Sequence, residues 1–131
     1  MRVLLGVAAV LAWIFGALLL VMPGPFYAPT GITMTPMLAT VAQAHGATLV
    51  GLGVIDWLAR NVERNGVRAV LAGNLVVQVL SLVVVIRTMT LGAGVRVAPG
   101  VVVHVVLGAL FAFFLFRGRA DRSPSSAPRA P

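Results

Sequence analysis

Apolar residues fall into four long runs separated by short polar or Pro- and Gly-rich breaks: Val3 to Met22, Leu38 to Ala59, Val67 to Ile86 and Val97 to Phe116. A bilayer core of about 30 Å takes roughly 20 apolar residues in a helix, so each run has the length of a membrane span. The first run is uninterrupted. The second carries Gln43, His45 and Asp56, the third Asn74, Gln78 and Ser81, and the fourth His104. Unsatisfied backbone groups are costly in lipid, and strands this few and this long cannot close a barrel, so the runs are expected to be helices. The predicted fold class is all-α, an integral membrane up-down-up-down four-helix bundle, because short connections make consecutive helices antiparallel neighbours. Residues 1–117 are expected to form that domain. Residues 118–131, rich in Arg, Ser, Pro and Ala, read as a disordered cytoplasmic tail.

Composition strengthens the membrane assignment. The 131 residues are 60% hydrophobic and 10% charged, against about 25% charged in soluble globular domains. Cysteine is absent, which removes disulfides, thiolate metal sites and thiol redox chemistry. The net charge of +7 would suggest nucleic acid if it were clustered, but the Arg residues lie between the apolar runs and no nucleic-acid partner is expected. Arg2, Arg60, Arg64, Arg68, Arg117, Arg119, Arg122 and Arg129 fall on one side of the spans; Arg87 and Arg96 fall on the other. The excess of Arg places both termini in the cytoplasm. The first run is longer than a secretory signal core of about 7–15 residues and ends at Met22-Pro23-Gly24-Pro25 with no A-x-A-like site, so it reads as a retained anchor. The uncharged loop Pro23 to Met37 carries Phe26 and Tyr27, suited to the outer interface, and Trp57 suits the inner one.

Small residues recur at four-residue spacing, as close helix packing in lipid requires. The rows are Ala8, Ala12 and Gly16 in the first span, Ala42 and Gly46 in the second, Ala69 and Gly73 in the third, and Gly100, Gly108 and Ala112 in the fourth. Such rows also serve self-association, but packing within the chain is the leading expectation for all four; a homo-oligomer or a membrane-protein partner is the alternative beside the lipid bilayer itself.

Ionisable and polar groups at membrane depth are candidate functional residues. Asp56 lies four residues before Arg60, a favourable acid-then-base spacing on one helix face, and a structural ion pair of Asp56 with Arg60, joined by Arg68 across the turn, is the leading expectation. A proton-coupling carboxylate is the alternative. Asn74, Gln78 and Ser81 form a polar stripe expected to face inward and to bond other helices. His45 and His104 fall at similar depth, roughly 10–12 Å below the outer surface. With Gln78 and Ser81 they make a candidate ligand-binding set in the outer half of the bundle. Opposed imidazoles ligate a b-type haem, for which Gly16 leaves room and Arg87 and Arg96 offer propionate partners. A quinone-like ligand or simple hydrogen bonding fits the same residues, and the leading expectation is no cofactor and no metal.

No nucleophile, base and orienter assemble in the spans, and a P-loop, a dinucleotide fingerprint and zinc spacing are all missing. The protein is therefore expected not to be an enzyme. In size and topology it resembles the small multidrug-efflux proteins, but their acidic residue in the middle of the first span has no counterpart between Val3 and Met22. The run Gly51-Leu52-Gly53-Val54-Ile55-Asp56-Trp57-Leu58-Ala59-Arg60, then Arg68 with Gly73-Asn74, and Phe113-Phe114-Leu115-Phe116-Arg117 resemble a family of small uncharacterised four-span bacterial inner-membrane proteins. More loosely, they resemble the DoxX-like proteins. The resemblance implies a bacterial inner-membrane bundle and brings no activity with it; Arg without Lys, with abundant Ala, Val and Gly, also fits a GC-rich bacterial genome. The expected role is a non-enzymatic structural or accessory bundle, with small-ligand binding or transport as the alternative.

Overall fold

The computed structural model describes residues 1–90 and 94–120. Four long helices, α1 (Arg2–Val21), α3 (Pro36–Ala59), α4 (Arg64–Thr88) and α5 (Ala98–Ala120), carry the four apolar runs. Each is long and apolar enough to cross a membrane, and no strand occurs among the described residues. The helices extend past most of the expected span ends, as helices crossing the polar interface do. In particular α5 continues through Gly118 to Ala120. The rest of the expected tail, from residue 121, lies outside the described residues.

The loop after α1 is more regular than expected. Pro23 sits in the first turn of a short helix α2 (Pro23–Tyr27), followed by a 3-10 turn at Ala28–Thr30. Proline has no N–H to lose at that position and its φ suits a helix start. Phe26 meets Phe15 edge-on at 6.1 Å, and the Thr30 hydroxyl donates to the Tyr27 carbonyl at 2.6 Å. Burial pushes the Tyr27 phenol above its usual range. Gly31 then reverses the chain at φ +78, a left-handed conformation that side chains disfavour. Thr35 starts α3 by accepting from the Leu38 N–H at 3.2 Å, with Pro36 in the first turn.

Two tight pairs build the bundle: α1 packs chiefly on α3, and α4 chiefly on α5. The α1–α3 contact is backbone against backbone. A Cβ on Gly16 would lie 2.8 Å from the Gly46 carbonyl oxygen, and one on Gly46 would lie 2.7 Å from that of Gly16. Ala8, Ala12 and Ala42 extend the same buried seam, and Gly53 leaves the space that the Trp13 ring occupies. Gln43 adds a polar clasp, donating to the free carbonyl of Leu20 at 3.1 Å near the end of α1. In the second pair, Gly100 faces Val85 and Gly108 faces Gln78.

An apolar cluster of Leu4, Leu5, Ala8, Ala59, Val67, Leu71 and Phe111 joins the two pairs. All of it lies in the half of the bundle nearer the Arg-rich end, where α1 and α4 begin and α3 and α5 finish. At the opposite end the Ala28–Thr30 turn approaches the Gly94–Val97 turn, with the Arg96 side chain against Gly31.

Candidate functional site

Inward-facing positions follow alternating three- and four-residue steps, the spacing of a bundle seam. In α4 the seam runs through Val67, Leu71, Asn74 and Gln78, all buried, and on to half-buried Ser81. In α3 it runs through Ala42, Leu49, Leu52, Asp56 and Ala59, with His45 in the same register but exposed, and in α5 through Val101, His104, Gly108 and Phe111. The buried and half-buried polar groups Asp56, Asn74, Gln78, Ser81 and His104 therefore sit on the faces that turn toward one another, above the apolar cluster.

Asp56 is 1% exposed and Asn74 3%, and they are bonded across the two pairs, Asn74 Nδ2 donating to Asp56 Oδ1 at 2.6 Å. The same amide nitrogen lies 3.1 Å from the Val70 carbonyl of its own helix. Side chains lean toward the N-terminus of their helix, so Asn74 on α4 leans toward the Arg-rich end and Asp56 on antiparallel α3 leans away from it. That lean brings together residues whose backbones are at different heights. Every fully buried side-chain nitrogen and oxygen among the described residues has a partner, as low-dielectric surroundings demand.

One turn further along α4, Gln78 Oε1 and His104 Nδ1 are 2.7 Å apart, linking α4 to α5. Gln78 is buried and His104 half-buried. Ser81 follows on the same seam, while His45 is exposed on α3. Of the four candidate ligand-binding residues, the structure thus bonds two directly, Gln78 and His104. Arg87 is exposed in the last turn of α4, and Arg96 lies against Gly31. No group of three or more His, Cys, Asp or Glu that could hold a metal occurs among the described residues.

Arg60 is turned away from the interior. Its Nε donates to the Trp57 carbonyl at 3.0 Å and its guanidinium carbon lies 3.2 Å from the Trp57 ring centroid, a cation–π stack. Trp57 in turn meets Trp13 of α1 at 5.3 Å. Arg68, half-buried in the second turn of α4, is itself engaged. The partner of Asp56 that sequence reasoning missed is Asn74. Its signal was present in the seam spacing, which puts positions 56 and 74 on inward faces, but the search for an opposite charge points to Arg60 and Arg68 instead.

Compared with known proteins, the chain matches no family model, no curated protein and no solved structure.

Proposed function

We propose that the protein is a non-enzymatic accessory bundle of a bacterial inner membrane, with both termini cytoplasmic, that acts through helix–helix contact with a second copy of itself or with another membrane protein. The observation that carries this reading is the outward face of α4. The rows Ala8–Ala12–Gly16 and Ala42–Gly46 are used up inside the chain, and Gly100 and Gly108 face α4. By contrast Ala69 and Gly73 are exposed, with no atom of another element within 4 Å of a Cβ placed on Gly73. A second exposed row on α3, Thr40, Ala44 and Thr48 with Gly51, has the same character. Its two hydroxyls bond carbonyls of their own helix, Pro36 and Ala44, which leaves a smooth surface of methyl and methylene groups. In lipid, where burial of apolar surface does not drive association, such small-residue faces are where helices approach closely.

The reading is tested by energy transfer between donor- and acceptor-labelled copies in membranes. The Ala69→Leu, Gly73→Leu double variant should lose the transfer while keeping the wild-type unfolding midpoint. Transfer undiminished in that variant overturns self-contact through this face.

A second reading, a small ligand such as haem or a quinone held by His45, Gln78, Ser81 and His104, is favoured by one feature. The Gln78–His104 pair, with Gln78 buried and His104 half-buried, lies beyond the apolar cluster, toward the loops.

A further inference from the structure

Outside the bundle interior, the Arg-rich end of the α1–α3 pair carries a groove of about 380 Å³. Val3, Val7, Val10 and Leu11 of α1 line one side and Trp57 of α3 the other, with Gly6 and Arg60 at its charged end. It opens into a smaller, more polar recess of about 260 Å³ formed by Arg2, Val3, Gly6, Arg60 and Asn61. We propose that this is a binding site for one anionic phospholipid, its phosphate held between Arg2 and Arg60 and one acyl chain lying along α1.

The position fits that ligand. Residues 3 to 11 of a helix span about 12 Å, so the groove descends from the interface well into the hydrocarbon, and its lining there is wholly apolar. At its mouth the chemistry changes over one helical turn to two guanidinium groups and an amide. No carboxylate lines either recess; Asp56, the acid of α3 nearest in sequence, is buried on the inner face and bonded to Asn74. Arg60 is also held in place before any ligand arrives, by its bond to the Trp57 carbonyl and its stack on the Trp57 ring. Gly6 completes the site by omission. A Cβ there would reach the Arg60 side chain at 3.5 Å, so a longer side chain would crowd Arg60 within the recess that both line. A planar donor fork suits a phosphate oxygen pair, and basic pockets between spans at the interface are where anionic headgroups dock. Phosphatidylcholine offers the same chains with no net charge and is the natural comparison.

The test is native mass spectrometry of the full-length protein released from detergent, titrated with phosphatidylglycerol or phosphatidylcholine of identical chains. The wild type should retain one phosphatidylglycerol in preference to phosphatidylcholine. Arg60→Gln and Arg2→Gln should each lower phosphatidylglycerol affinity about fivefold and leave phosphatidylcholine unchanged. Gly6→Leu should weaken phosphatidylglycerol binding with both Arg in place. Arg117→Gln, at the same end but on α5, should change nothing. Arg2→Gln at the exposed first turn reads the site independently should Arg60→Gln fail to fold. Equal retention of the two lipids by the wild type overturns the proposal, as does a phosphatidylglycerol preference that Arg2→Gln leaves undiminished. A loss as large in Arg117→Gln overturns it too, because the preference would then belong to the charged end as a whole.

Discussion

Asn74 donates to Asp56 across the junction between the α1–α3 and α4–α5 pairs, at 2.6 Å and with both side chains almost wholly buried. The two residues are 18 apart in sequence, and only the opposed lean of side chains on antiparallel helices lets them meet. The bond is thus a polar latch set just above the apolar cluster that joins the same two pairs. Removing one partner strands the other in a low-dielectric interior, whereas replacing both by apolar groups removes the desolvation penalty. Asn74→Leu should therefore lower stability by about 1–3 kcal/mol. The double variant Asp56→Leu, Asn74→Leu should recover most of that loss, and Asp56→Asn, which keeps an acceptor oxygen, should lose less than Asn74→Leu. Reversible denaturation in mixed micelles measures all three.

The glycines separate into two classes by what a methyl group would meet. At Gly16 it would strike the Gly46 backbone and the Val50 side chain, and at Gly46 the Gly16 backbone and Leu19. Neither neighbour can move without parting α1 from α3. Gly16→Ala and Gly46→Ala should each destabilise by about 1–3 kcal/mol, the usual range for overpacking. At Gly73 and Gly51 the space is open, so Gly73→Ala and Gly51→Ala should leave the midpoint unchanged or raise it by up to about 1 kcal/mol through helix propensity.

The Gln78–His104 contact distinguishes the two functional readings. If the pair serves only to bond α4 to α5, the protein purified from haem-replete cells should show no Soret band in either redox state. His104→Ala should then cost about 1–2 kcal/mol of stability and His45→Ala almost nothing. A Soret band that disappears in both variants would make the outer half of the bundle a haem site. The spectrum before and after dithionite reads this directly.

Much of this fold was legible in the sequence because lipid allows few solutions: 20-residue apolar runs must be helices, and short turns make them antiparallel. The small-residue rows of α1 and α3 were likewise readable as packing faces. The spacing of Ala69 and Gly73 is the same as that of Ala42 and Gly46, yet one row is buried and the other exposed. Spacing places residues on a face, but which element covers that face depends on how helices pair. The polar stripe of α4 was readable for the same reason, from its three- and four-residue steps. Of its partners, His104 was readable, because the sequence sets it with Gln78 in the same half of the bundle, but Asp56 was not, because the opposed lean of side chains on antiparallel helices joins residues at different heights. The stack of Arg60 on Trp57 also escaped a reading that looked for opposite charges, although the three-residue spacing on one helix face allows either partner.

Whether the exposed Ala69–Gly73 face of α4 is a contact surface is directly measurable, because native cysteine is absent. Gly73→Cys and, as a control on an exposed face of α5, Val102→Cys should be oxidised in native membranes at low expression and run without reductant. Gly73→Cys should give a disulfide-linked dimer and Val102→Cys monomer. Monomer from both, or dimer in equal yield from both, would contradict contact through this face.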